Sequence, residues 1–156
     1  MSEAGRLGFG AAMKMLSGNR ETVEAHNAAV GRVIASAGIE HESGRYRSMG
    51  ENEGATLVLR FADGTGLRAW DDAQSCCEHR YMNTDDDLSA FAGATFNGME
   101  LREGPYVKDG EWGSVSECQF LLVNTDRGTF TVANYNDHNG YYGGFGLEVR
   151  ALGPNP

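Results

Sequence analysis

Two hairpin signals set 64 residues apart constrain this chain more than any other feature. In the first, Leu57, Leu59 and Phe61 alternate with Val58 and Arg60, as in a strand with one buried face. Asp63-Gly64 is a turn dipeptide, and residues 66–70 lead back. In the second, Phe120, Leu122 and their neighbours form a strand, Thr125-Asp126-Arg127-Gly128 turns it, and residues 129–134 return. A displacement of 64 sets Glu53 on Glu117, Leu57 on Leu121, Gly64 on Gly128, Thr65 on Thr129 and Ala69 on Ala133, five identities in the 26 positions 53–78. The weight lies in the order of elements. Helix, Gly31, strand, hairpin and loop are followed by helix, Gly93, strand, hairpin and loop. That order predicts an internal pseudo-repeat.

The remaining elements follow from local chemistry. Asn19 is an N-cap with Glu21 in the first turn, so a helix runs to about Val30 and stops at Gly31. A weaker amphipathic helix, interrupted by Gly8 and Gly10, spans residues 5–16. Residues 32–39 read as a strand and 41–54 as a polar loop. Residues 71–84 read as an irregular loop, and Asp85 caps a short helix ended by Gly93. Strands are expected at 94–101 and 145–150, with loops at 103–114 and 135–144. The predicted fold is α+β: a twisted antiparallel sheet of six or seven strands with two or three short helices. Residues 1–29 form an N-terminal helical extension and 30–156 a single domain.

Composition limits function. At 156 residues the chain fits one domain with an ample core. Its net charge of −9 is carried by one part of it. Residues 1–50 hold six basic and five acidic groups, a net of +1, and residues 51–156 seven basic and seventeen acidic, a net of −10. Such a surface disfavours general nucleic-acid binding. The acids at 71–87 read as a solvated face, or as a cation-binding or DNA-mimicking one. No run of 18 apolar residues and no signal-peptide pattern is present, so a cytoplasmic, non-membrane protein is expected. Cys76, Cys77 and Cys118 are an odd set with an adjacent pair, a poor disulfide framework that fits reduced thiols.

The two loops, placed equivalently by the repeat, are the candidate site. The first offers Cys76, Cys77, Glu78, His79 and Arg80, and the second Asp137, His138, Asn139, Tyr141 and Tyr142. Three chemistries suit them. Cys76 or Cys77 with His79 and His138 or Asp137 could hold zinc or another divalent metal, although no established spacing is matched. Cys76 or Cys77 could act as a nucleophile with His138 as base, oriented by Asp137 or Asn139. Arg80 could instead grip an anionic group while the tyrosines supply contact area and Asn139 a hydrogen bond. The last is favoured, with no cofactor. Trp70 and Trp112 read as core or rim, and His26 and His41 as surface.

Four motifs in combination carry a resemblance. Asp63-Gly64-Thr65, Cys76-Cys77-Glu78, Asp85-Asp86-Asp87 with Gly93, and Asn139-Gly140-Tyr141-Tyr142 resemble the pattern of a domain-of-unknown-function family of small bacteriophage and bacterial hypothetical proteins. The similarity covers about residues 30–149. It implies a phage or prophage setting and supplies no mechanism. The expected function is a non-enzymatic, phage-type accessory protein that captures a small molecule or a host protein through two facing loops. The alternatives are a small metal- or Cys/His-dependent hydrolase on the same loops and a virion structural or assembly protein. A homo-oligomer fits either, and a phage-encoded chain would act in the host cytoplasm or in the virion.

Overall fold

A computed structural model describes residues 20–41, 55–71, 78–108, 113–140 and 144–153. Among these residues are one α-helix, α1 (Arg20–Ala29), and eight strands: β1 (Ile34–His41), β2 (Ala55–Phe61), β3 (Gly66–Asp71), β4 (Glu78–Asn83), β5 (Phe96–Lys108), β6 (Val115–Thr125), β7 (Gly128–His138) and β8 (Leu147–Leu152). A 3-10 turn, Leu88–Phe91, precedes β5. The strands form two antiparallel sheets of four, ordered β1-β2-β3-β8 and β4-β7-β6-β5. The fold is therefore richer in β-structure than the expected α+β domain, with two sheets in place of one. No described helix is long and apolar enough to cross a membrane.

Each hairpin forms where its alternation places it. Leu57, Leu59, Phe61, Leu67 and Ala69 point into one apolar cluster, which Leu121, Val123, Phe130 and Val132 enter from the other sheet. Leu147 and Val149 of β8 complete it. The short turns demand glycine at their ends: Gly64 has φ +89° and Gly128 φ +116°, a backbone region that side-chain-bearing residues avoid.

The two halves follow one plan. Each contributes three consecutive strands to one sheet and sends its fourth to the other, so β4 pairs with β7 and β8 with β3. The same irregularity interrupts both first pairings, between Ile34 and Ser36 and between Phe96 and Gly98. Where the halves meet, the bonds are reciprocal. Gly31 N–H donates to Phe96 O (2.8 Å) and Gly93 N–H to Ile34 O (2.7 Å). Phe96 N–H donates to Arg32 O (2.9 Å) and Ile34 N–H to Ala94 O (2.7 Å).

Three local readings are corrected. Residues 78–83, 103–108 and 135–138 are strands, not loops. In 78–83 and 135–138 inward positions carry polar residues such as Arg80 and Asn136, and 103–108 is almost wholly exposed, so no apolar alternation marks them. The segment after Asp85 makes only the 3-10 turn. Asp87 caps it by accepting from Ser89 N–H, and Leu88 alone is buried. His26 is not on the surface: it is fully buried, its Nε2 accepting from Met99 N–H (2.8 Å) and its ring meeting Phe96 edge-on. Thr22 Oγ1 donates to Val149 O (3.1 Å), so α1 packs on the body of the fold. Trp70 is buried, with the Arg68 guanidinium 4.2 Å from its ring centre. The expected helix at 5–16 and Trp112 lie outside the described residues, as does the side chain of His41.

Candidate functional site

The interior changes character along the sheet β4-β7-β6-β5. Its inward face is apolar at Phe130, Val132, Leu121 and Val123, and polar further along at Asn134, Asn136 and His138 of β7, Arg80 of β4, and Glu117 and Gln119 of β6. At that end both fourth strands leave their own half, so the stems of the two crossover segments meet there. The expectation that these two stretches face one another concerns this region. Cys76, Cys77, Tyr141 and Tyr142 lie outside the described residues, as does the side chain of Glu78.

A buried ion pair ties the stems together. Arg80 Nη1 lies 2.8 Å from Asp71 Oδ2, with only 5% and 4% of the two side chains exposed. The same Nη1 donates to Gly144 O (2.9 Å). Asn134 Nδ2 donates to Asp71 Oδ2 (3.1 Å) and Gly146 N–H to Asp71 Oδ1 (3.1 Å). Asp71 comes from β3 of one sheet and Arg80 from β4 of the other. An anion arriving at Arg80 would meet a guanidinium already joined to a carboxylate.

His138 forms a second junction. Its Nδ1 accepts from Gly140 N–H (3.0 Å), which leaves the proton on Nε2, and that nitrogen donates to Glu117 Oε2 (3.0 Å). Glu117 Oε2 also accepts from Gly144 N–H (3.1 Å). Glu117 is thus the residue that orients His138. Asp137 cannot do so, because successive strand residues face opposite ways. Its carboxylate lies on the outer face and accepts from Ser116 Oγ (2.7 Å). Asn139 is exposed beside His138.

At this end β5 is the edge strand of the sheet, its last residues, Tyr106–Lys108, pairing with Glu117–Val115 of β6. A groove of about 450 Å³ lies between the end of β5 and the second crossover, lined by Glu103, Gly104, Pro105, Tyr106, Glu117, Cys118, Gln119, Gly144 and Phe145. Gln119 Oε1 is buried and, among the described residues, without a hydrogen-bond partner. A shallower depression of about 460 Å³ includes Val107, Ser116, Asp137, His138 and Asn139. Tyr106 and Val107, at the end of β5, are about three-fifths exposed.

The outer face of the same sheet carries a ring row. His79 and Tyr81 lie 5.0 Å apart between centroids, and Tyr81 stacks on Tyr135 at 4.8 Å with an interplanar angle of 18°. Burial raises both phenol pKa values, and the Asp137 carboxylate adds to the shift at Tyr81. Cys118 sits in register with Tyr135 and is buried, which raises its thiol pKa. Among the described residues, no three His, Cys, Asp or Glu side chains group as metal ligands.

The sequence places His79, Arg80, Asp137 and His138 in loops, whereas they stand on β4 and β7. It does not single out Asp71, Glu117, Gln119 and Tyr135, which the structure sets beside them. The available signal was the alternation of basic, aromatic and apolar residues over 78–83 (EHRYMN), a period of two without an apolar stripe.

No curated protein and no solved structure matches the chain. A family model does, over residues 27–146, and it starts inside α1 and ends just before β8. The chain belongs to the family described as a domain of unknown function, DUF7448.

Proposed function

We propose that this protein is a non-enzymatic binding protein that captures a small molecule or a segment of a partner protein in the groove between the end of edge strand β5 and the second crossover. One observation carries the reading. The groove has a volume of about 450 Å³, and Glu103, Glu117 and the buried Gln119 Oε1 line it together with Tyr106 and Phe145. Ligand sites are concave, largely apolar and furnished with a few fixed polar groups. Here the polar groups are mainly acceptors, which suits a ligand rich in N–H or O–H donors. His138 and Arg80 act behind the groove: they hold Glu117 and Gly144 in place.

The setting suggested by the motif pattern is a bacteriophage accessory protein acting on a host component in the cytoplasm. The matched hairpins, shared irregularities and exchanged fourth strands support descent from a duplicated half-domain. A thermal-shift screen with amines, nucleosides and short peptides tests the binding reading, because a ligand that binds only the folded state stabilises it by about 2.7 kcal/mol at a hundredfold excess over Kd. A hit should vanish in Tyr106→Ala and in Gln119→Leu. Shifts that survive both substitutions would place the ligand elsewhere.

A further inference from the structure

The outer face of β4-β7-β6-β5 holds a second cavity, next to the groove but lined by different residues. Register places Phe120, Ala133 and Asn83 in one rank across β6, β7 and β4, with Tyr135 in the next rank. Strand alternation turns all four side chains outward, away from the shared core. After Asn83 the chain leaves regular pairing but stays beside β7. Thr84 Oγ1 donates to Thr131 O (2.7 Å), and Asp86 Oδ2 accepts from Thr131 N–H (2.8 Å). This segment raises a wall along the sheet and encloses a cavity of about 240 Å³. Phe120, Ala133 and Tyr135 make an apolar floor, and Asp85 and Asp86 stand at the rim.

Among the described residues, no lysine or arginine lines this cavity. Arg102, in register with Phe120 on β5, lies outside the lining, with its Nη2 3.8 Å from Glu100 Oε1. Tyr135 is packed on one side by Tyr81 and faces the cavity on another. Asp85 lies close enough to Tyr135 for its charge to raise the phenol further. Aromatic surface beside a carboxylate attracts a cation twice, through the ring quadrupole and through the ion pair. A guanidinium fits this combination better than an ammonium, because it is planar, weakly hydrated and stacks on rings.

We propose that this cavity is a binding site for the guanidinium of an arginine-bearing peptide segment of a basic protein partner, seated on Phe120 and Tyr135 and held by Asp85 with Asp86. The acidic balance of the chain favours the same occupant, since a net charge of −9 draws a basic partner and repels an acidic one. The site needs neither the groove nor the crossover residues.

The test is an ¹⁵N NMR titration of the full chain with the peptide acetyl-Gly-Arg-Gly-Arg-Gly-amide and with its citrulline counterpart, which keeps the shape and removes the charge. The arginine peptide should produce saturable shifts at Asn83, Thr84, Phe120, Thr131, Ala133 and Tyr135, and the citrulline peptide should bind about tenfold more weakly. Asp85→Asn, an exposed change that leaves the fold intact, should weaken the arginine peptide about fivefold, and Tyr135→Leu by a similar factor. Equal binding of the two peptides would make the cavity an apolar pocket and overturn the proposal. So would shifts confined to Glu117 and His138, a dimer by diffusion NMR that already covers these residues, or no shift at about 10 mM peptide.

Discussion

His26 shows how much one buried side chain can impose. It is fully buried between α1 and β5, and its neutral form suits that place, with Nε2 accepting from Met99 N–H and Nδ1 2.9 Å from Asn27 Oδ1. Burial lowers its pKa below the ordinary 6.5, against a smaller upward pull from Asn27. The unfolded chain therefore takes up a proton at a pH where the folded chain does not. Stability is fully present above pH 6.5 and declines as pH falls from there towards the folded pKa, with a limiting slope of about 1.4 kcal/mol per pH unit. Urea unfolding between pH 7.5 and about pH 5 should show this slope, and His26→Gln, an uncharged residue with an acceptor, should flatten it. An unchanged slope in the variant would assign the pH dependence to other groups. Cys118 makes a second residue-scale prediction. Burial raises its thiol pKa, so alkylation at pH 8 read by mass spectrometry should spare it in the native protein and modify it in urea. Equal labelling in both states would contradict its buried place.

At the scale of elements, the sequence was legible where one face of a strand is apolar. Leu57, Leu59 and Phe61 announced β2, Asp63-Gly64 its turn, and Thr125–Gly128 the second turn, because burial against a core writes a period of two into residue type. It was illegible where both faces carry polar or aromatic groups. In β4, Arg80 and Met82 face inward while His79 and Tyr81 face outward, a pattern hydropathy reads as a loop. The candidate site suffered the same way. His79 and Asp137 were grouped with Arg80 and His138, but their side chains share an outer face with Tyr81 and Tyr135, whereas Arg80 and His138 point inward. Glycine misled at β5, where Gly104 suggested a loop. A Cβ at Gly104 would lie 2.8 Å from Cys118 O and 3.0 Å from Phe120 Cε2, so glycine there permits a close approach of β5 to β6 at an irregularity in their pairing. Gly104→Ala should cost about 1–3 kcal/mol in urea unfolding. A cost near zero would show that edge strand β5 has room to give.

For the molecule as a whole, the question is what joins two sheets whose shared interior turns polar at one end. Apolar packing serves the other end, through Leu59, Leu67, Phe130 and Val132. At the crossover end the tie is Asp71 with Arg80, one from each sheet, with Asn134 Nδ2 and Gly146 N–H also donating to the carboxylate. A buried pair of this kind adds little net stability over an apolar replacement, yet breaking it leaves a charge stranded in the interior. Arg80→Met alone should therefore cost about 3–5 kcal/mol, and Asp71→Leu alone a similar amount. The double variant should cost less than the two added together, and the shortfall measures the tie in a double-mutant cycle by urea unfolding. Additive costs would show that the sheets are held without it. The pair also reaches the groove, because Arg80 Nη1 holds Gly144 O and Gly144 forms part of the groove wall. A ligand that stabilises the parent chain through the groove should therefore bind the double variant more weakly even where its folding is restored. Hydrophobic residues can replace the pair's packing, but they cannot supply the hydrogen bond that fixes Gly144.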